Sequence, residues 1–237
     1  HDAYLSVVEA LNHAGYVYGA VVNINWIDSE TINEQNVKVA LSKCDGILIP
    51  GGFGERGIEG MISAAKYARE NNVPCLGICL GMQIMVIEFA RHICGLADAN
   101  SGEFDAETAH KVIDFMPDQS DEINKGGTLR LGAYPCAIKK GSKMAACYQA
   151  ELISERHRHR YEFNNDYREA MQEKGLVIGG MSPDGHIVET VELEDKDFYL
   201  GVQFHPEYKS RPNKAHPLFK GLVEAALKQK SEFSQNN

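Results

Sequence analysis

Apolar positions along the chain recur in two alternating patterns: helical stretches spaced by three and four, and short unbroken runs stopped by glycine. Tyr4, Leu5, Val8, Leu11 and Ala14 predict an opening helix that Gly15 ends. A β-rich run follows over 17–26, then a helix around 34–43. Gly46-Ile47-Leu48-Ile49-Pro50 has the character of a buried parallel strand, apolar on both faces. A helix over 58–70 leads into a second such strand at 73–78. The next helix carries Met82, Met85, Val86, Phe89 and Ile93 on one stripe. Strand and helix in alternation predict an α/β fold, a doubly wound and mostly parallel sheet with flanking helices.

The second half is less regular. Residues 98–127 are polar, acidic and weakly periodic, and read as a long surface excursion. Runs near 129–138 and 145–152 have β character, as do 176–180, 186–193 and 200–204, while 169–174 and 217–230 are helical. These runs add a small antiparallel β extension to the sheet. Residues 231–237 read as a disordered tail. Neither a repeat nor a linker divides 1–237, so the chain reads as one domain. It opens on a helix where a doubly wound sheet usually opens on a strand, which suggests a piece cut from something longer.

Composition narrows the class without deciding it. With 43% hydrophobic and 24% charged residues, the chain can build an ordinary globular core. Its formal charge of −9 argues against non-specific nucleic-acid binding, which needs a basic face. There is no apolar run of membrane-spanning length, so no membrane partner is expected. Cys44, Cys75, Cys79, Cys94, Cys136 and Cys147 are scattered through mostly apolar surroundings. They read as reduced thiols of a cytoplasmic protein, and none has zinc-site spacing, so no metal is expected.

Chemistry concentrates at four places. Gly77-Ile78-Cys79-Leu80-Gly81 lies between a buried strand and a helix, the cysteine form of the nucleophile elbow. A tight turn there lifts the sulfur above the sheet edge, and the helix N-terminus favours the thiolate. Gln203-Phe204-His205-Pro206-Glu207 follows an apolar strand. It offers His205 as a base and Glu207 as the acceptor that fixes its tautomer. Pro50-Gly51-Gly52-Phe53-Gly54 lacks the Lys-Ser or Lys-Thr of a phosphate loop. Its better reading is an oxyanion hole in which the amides of Gly52 and Leu80 meet a tetrahedral oxygen. The run from Arg156 to Phe163 reads as a solvated strand edge, as a metal site through His157 and His159, or as an arginine grip on a carboxylate. Alternation would put Arg156, Arg158 and Arg160 on one face and the histidines on the other.

Taken together these motifs resemble the class I, triad-type glutamine amidotransferases. The finer match, with the glutaminase domains of the CTP synthase family, rests on Ala99-Asn100-Ser101-Gly102-Glu103-Phe104, Gly127-Thr128-Leu129-Arg130-Leu131-Gly132, the run from Arg156 to Asn164, and the segments beginning at His1 and Trp26. The resemblance implies glutamine hydrolysis through a Cys79 thioester, with His205 and Glu207 completing a triad. It implies that L-glutamine is held by the Gly52 backbone, by Leu80, Gly81, Met82 and Gln83, by Glu103 at its ammonium, and by Arg160 with Tyr161 at its carboxylate. The domain itself would need no cofactor. Its ammonia would pass to a synthetase domain of the same full-length chain, which aminates UTP with ATP and Mg²⁺ in a homo-oligomer, a tetramer. GTP would stimulate the glutaminase through the region 126–132. A strand would normally precede the motif at His1.

Overall fold

The computed structural model describes residues 2–115 and 129–235. Residues 116–128, which include most of the anticipated excursion's end and the first part of the 126–132 region, lie outside the described residues.

The strand–helix alternation of the first half forms β1 (Ile47–Ile49), α3 (Ile58–Glu70), β2 (Cys75–Ile78) and α4 (Leu80–His92). Ahead of them lie α1 (Leu5–Val17) and the short α2 (Val37–Leu41). After α4 come β3 (Asn100–Ser101), β4 (Lys111–Asp114), β5 (Arg130–Ile138), α5 (Lys143–Tyr148), β6 (Leu152–His159) and β7 (Glu162–Phe163). The chain continues through α6 (Arg168–Glu173), β8 (Leu176–Met181), β9 (Val188–Leu193) and β10 (Tyr199–Val202) to α7 (Pro217–Gln235).

The large sheet has the order β1-β2-β10-β9-β8-β5-β6. Only β1, β2 and β10 run parallel, and every pairing beyond β10 is antiparallel. The α/β class is as anticipated, but the sheet is mixed where a mostly parallel one was expected. The reason is local: β8 and β9 are joined by a short turn at 182–187, and β5 lies between β8 and β6 with no helical crossover long enough to reverse it. Strand alternation gives the sheet two cores. Cys75 and Tyr199 face α3 and α4, while Leu76, Ile78, Leu200 and Val202 face α1 and α7. Helix α4 is buried on every side from Leu80 to Ala90, which explains why its apolar stripe is so broad.

Five local expectations are corrected. Helix α1 runs through Gly15 to Val17; Gly15 is buried instead of capping, and a Cβ there would stand 2.7 Å from the Ala20 carbonyl oxygen. Residues 17–26 pair with no strand, because a groove of about 780 Å³ lies between 20–28, β1 and α7. The first half of the stretch 145–152 belongs to helix α5, started by the Ser142 side chain accepting from the Ala145 N–H and ended at Gln149, whose φ of 53° is left-handed, and only Leu152 is strand. The supposed excursion after Asp98 supplies two strands, β3 and β4, of a second sheet completed by β7, with Ala99, Ser101, Val112 and Ile113 fully buried. At the other end α7 continues to Gln235, beyond Ser231 where a disordered tail was anticipated.

Candidate active site

The carboxyl ends of β1, β2 and β10 lie side by side, so the loops that follow them converge. The loop after β2 is a single residue, Cys79, with φ 51° and ψ −103°. A non-glycine residue held there is strained, and such strain persists only where the surroundings fix it. Both flanks show how. A Cβ on Gly77 would stand 2.5 Å from Met85 Sδ and 2.6 Å from the Gly81 carbonyl carbon, and one on Gly81 would stand 2.1 Å from the Ile49 carbonyl oxygen. Only glycine lets α4 begin this close to the sheet. The Cys79 N–H donates to the Val202 carbonyl at 2.7 Å, which ties the elbow to β10.

From β10 the chain passes to His205, whose N–H donates to the Arg156 carbonyl at 2.8 Å. The imidazole Nδ1 is 2.8 Å from Glu207 Oε1, and the ring stacks on Tyr208 at 5.6 Å. Cys79 is its other neighbour, since Gly51 borders both the imidazole and the cysteine. Burial pulls the imidazole toward the neutral form, but the bonds to Cys79 and Glu207 outweigh it and raise its pKa to about 10. Cys79, His205 and Glu207 are therefore grouped at the strand ends, with imidazolium favoured beside Glu207. Gly51 closes that group from β1: its Cα side lies so near the imidazole that a Cβ would be 2.9 Å from His205 Cε1.

Gly52 lies against the Leu80 side chain, and Leu80 is the first residue of α4, where amides have no intrahelical acceptor. Gly52 thus neighbours the residue that follows Cys79. Glu103, just past β3, is half-buried; burial raises its pKa, opposed by a bond from the Gly54 N–H. Burial raises the Tyr161 pKa as well, with the charges of Glu103 and Asp114 adding to it and that of Arg160 opposing. Tyr161 thus feels the charges of both Glu103 and Arg160, and Arg160 is exposed.

The anticipated substrate residues in α4 behave differently from one another. Gly81 is packed under Ile49 and Met82 is fully buried beside Gly201, so neither side faces the cleft and each can meet a ligand only through backbone. Gln83 is buried, and its Nε2 donates to the Tyr161 carbonyl at 3.0 Å and to Gln203 Oε1 at 3.3 Å.

The arginines of β6 face outward and His157 and His159 inward, as alternation required. Burial first, then the Arg130 charge, lowers these histidines to about 2 and about 3. Their rings bond each other, Nδ1 to Nε2 at 2.8 Å, and among the described residues no three metal-ligating side chains converge. Sequence reasoning missed the company they keep: Arg130 pairs with Glu189 at 2.7 Å, and burial raises Glu162 and Glu189 to about 7. Glutamates inside the otherwise apolar strand β9 were the available signal.

A strained cysteine elbow, a histidine–glutamate pair and a glycine loop at the parallel edge of a mixed sheet define a triad-type glutamine amidotransferase. The family model for class-I glutamine amidotransferases matches residues 1–225, and the chain belongs to that family. Within it the chain stands with the glutaminase domains of CTP synthases. It is 58% identical over 227 residues to the CTP synthase of Caldanaerobacter subterraneus subsp. tengcongensis and 56% identical to that of Staphylococcus aureus, covering 96% of this chain and 42% of each relative. The chain thus spans about two-fifths of the length of the curated relatives it matches. The solved glutaminase domain of Trypanosoma brucei CTP synthase, with bound acivicin, superposes with a TM-score of 0.91 at 39% identity, covering 96% of this chain and 89% of that one. No helix of the described residues is long and apolar enough to cross a membrane.

Proposed function

We propose that this domain hydrolyses L-glutamine to glutamate and ammonia through a thioester on Cys79. The Cys79 thiolate attacks the side-chain carbonyl carbon, and the amides of Gly52 and Leu80 receive the negative oxygen. Each such donor contributes roughly 3 kcal/mol to the barrier reduction. His205, protonated and aimed by Glu207, gives its proton to the leaving nitrogen as the C–N bond breaks. It then takes a proton from the water that cleaves the thioester, and the sulfur returns as thiolate. Glu103 meets the substrate ammonium, and Arg160 with the Tyr161 region meets its carboxylate. The Leu80-to-Gln83 turn contributes backbone contacts, those of Gly81 and Met82 included.

The observation that carries this reading is the strained Cys79 elbow beside the His205–Glu207 pair, with Gly51 bordering both. Cys79→Ala is expected to end ammonia release from glutamine while the chain stays folded; turnover retained in that variant would refute the assignment.

The kinship with CTP synthases supports a wider role. In it the ammonia aminates UTP to CTP at a synthetase domain, for pyrimidine nucleotide supply, with ATP and Mg²⁺ held by that domain, GTP as activator and a homotetramer as the working unit. The six free thiols fit a reducing cytoplasm.

A further inference from the structure

Gln203 lies one residue beyond β10 with no exposed surface, and the reaction proposed above leaves it without a task. A buried carboxamide is retained where its donors and its acceptor are matched. Here both are. Gln203 Nε2 points at Cys79 Sγ at 3.7 Å, and Gln203 Oε1 accepts from Gln83 Nε2 at 3.3 Å. Gln83 Nε2 also donates to the Tyr161 carbonyl at 3.0 Å. The Gln203 backbone is held as well, its N–H donating to the Glu189 carbonyl at 2.8 Å. Turning the Gln203 amide over would set its oxygen on the sulfur and two NH₂ groups face to face, so the network fixes one orientation.

We propose that Gln203 is a positioning residue for the nucleophile, its amide N–H steering and holding the Cys79 sulfur while Gln83 of α4, itself held by the Tyr161 carbonyl, aims it. This rests on Cys79 being the nucleophile. A thiolate accepts such a bond more strongly than a thiol, because the acceptor then carries full charge. The bond therefore favours the reactive form. Other groups face the sulfur too. His205 stands in front of it with Glu207 behind the ring, the Arg158 carbonyl approaches from β6 at 4.0 Å, and the first turn of α4 lies beneath. From β6, His157 and His159 stay uncharged near neutral pH, while Arg130 and Glu189 form their own pair farther back. None of these replaces the donor that Gln203 supplies. Because the line ends at Tyr161, in the region assigned to the substrate carboxylate, occupancy of that region is coupled to the placing of the sulfur.

The test is the pH profile of Cys79 alkylation by iodoacetamide in the absence of glutamine, read on the Cys79 peptide by mass spectrometry. Gln203→Met keeps the shape and removes the donor. It is expected to move the midpoint up by about one pH unit and to slow alkylation at pH 7 about tenfold. Gln203→Glu, which sets an acceptor against the sulfur, is expected to move it further. Gln83→Met leaves the donor but not its aim, and a smaller upward shift is expected. An unmoved midpoint in folded Gln203→Met overturns the proposal; if that variant does not fold, an unmoved midpoint in Gln83→Met does so. Alkylation needs no turnover, so an unchanged profile would remove this bond and leave the proposed hydrolysis standing. Turnover by Cys79→Ala would do the reverse.

Discussion

Gly51→Ala tests the site through a single methyl group. Gly51 borders the His205 ring, and the new Cβ would lie 2.9 Å from His205 Cε1 and 3.5 Å from Cys79 Cβ. The second distance is ordinary contact. The first falls short of a normal carbon–carbon separation by roughly 0.6–1 Å, so the ring must retreat by about that much. It has little room to do so, held by Glu207 at 2.8 Å and stacked on Tyr208. A displacement of about 1 Å between reacting groups costs about a hundredfold in rate. The fold loses far less, about 1–2 kcal/mol, because the crowded neighbour is a side chain at a cleft. Gly81→Ala makes the contrast, since its Cβ would meet the Ile49 carbonyl oxygen at 2.1 Å and α4 would have to leave the sheet. Initial rates of glutamate release against glutamine concentration separate kcat from KM, and thermal melts follow the fold. A Gly51→Ala protein that melts near the parent and keeps kcat within about threefold would refute the reasoning.

Two further outcomes follow from the charges. Glu103→Gln is expected to lower kcat/KM by about 10- to 100-fold, mostly through KM, as one charge-assisted bond to the substrate ammonium is lost; a KM equal to the parent's would dismiss that contact. Glu207→Gln weakens what holds His205 at about 10 against burial. A folded-state pKa above the ordinary 6.5 stabilises the protein in full below about 6.5, and that stability is lost as pH rises toward 10. The variant should therefore be less stable at pH 6, by about 1.5–3 kcal/mol, and approach the parent near pH 10. Urea unfolding at pH 6, 8 and 10 measures it, and an equal deficit at all three would count against the coupling.

The elbow was legible because sterics write it into sequence. Gly77 and Gly81 flank Cys79 for reasons a reader can reconstruct before any coordinates, and His205 with Glu207 forms a local pair across one proline. The buried strands at Ile47–Ile49 and Cys75–Ile78 were equally plain, as apolar runs between glycines. Direction was not. Whether β8, β9 and β10 run parallel depends on the turns and crossovers between them, and no single strand's apolar pattern records its neighbour's direction. Residues 145–152 misled because alanine, cysteine and tyrosine suit either element, and the decision fell to the Ser142 cap outside the run. Gln203 was in view but mute, since a polar residue ending a strand shows its worth only when Gln83 and Cys79 are seen around it. The roles of Glu103 and Arg160 came from resemblance, and Tyr161 comes under the charge of Glu103 because β7, just after it, pairs with β4, which pairs with β3.

The most direct test of the central claim is to trap the intermediate. The chain is mixed with L-glutamine, quenched in acid within the first turnovers, and digested for mass spectrometry. A glutamyl group, glutamine less ammonia, is expected on the Cys79 peptide, removable by hydroxylamine and absent from Cys79→Ala. A glutamyl adduct on any of the other five cysteines would contradict the account, as would steady ammonia release with Cys79 unmodified at every quench time.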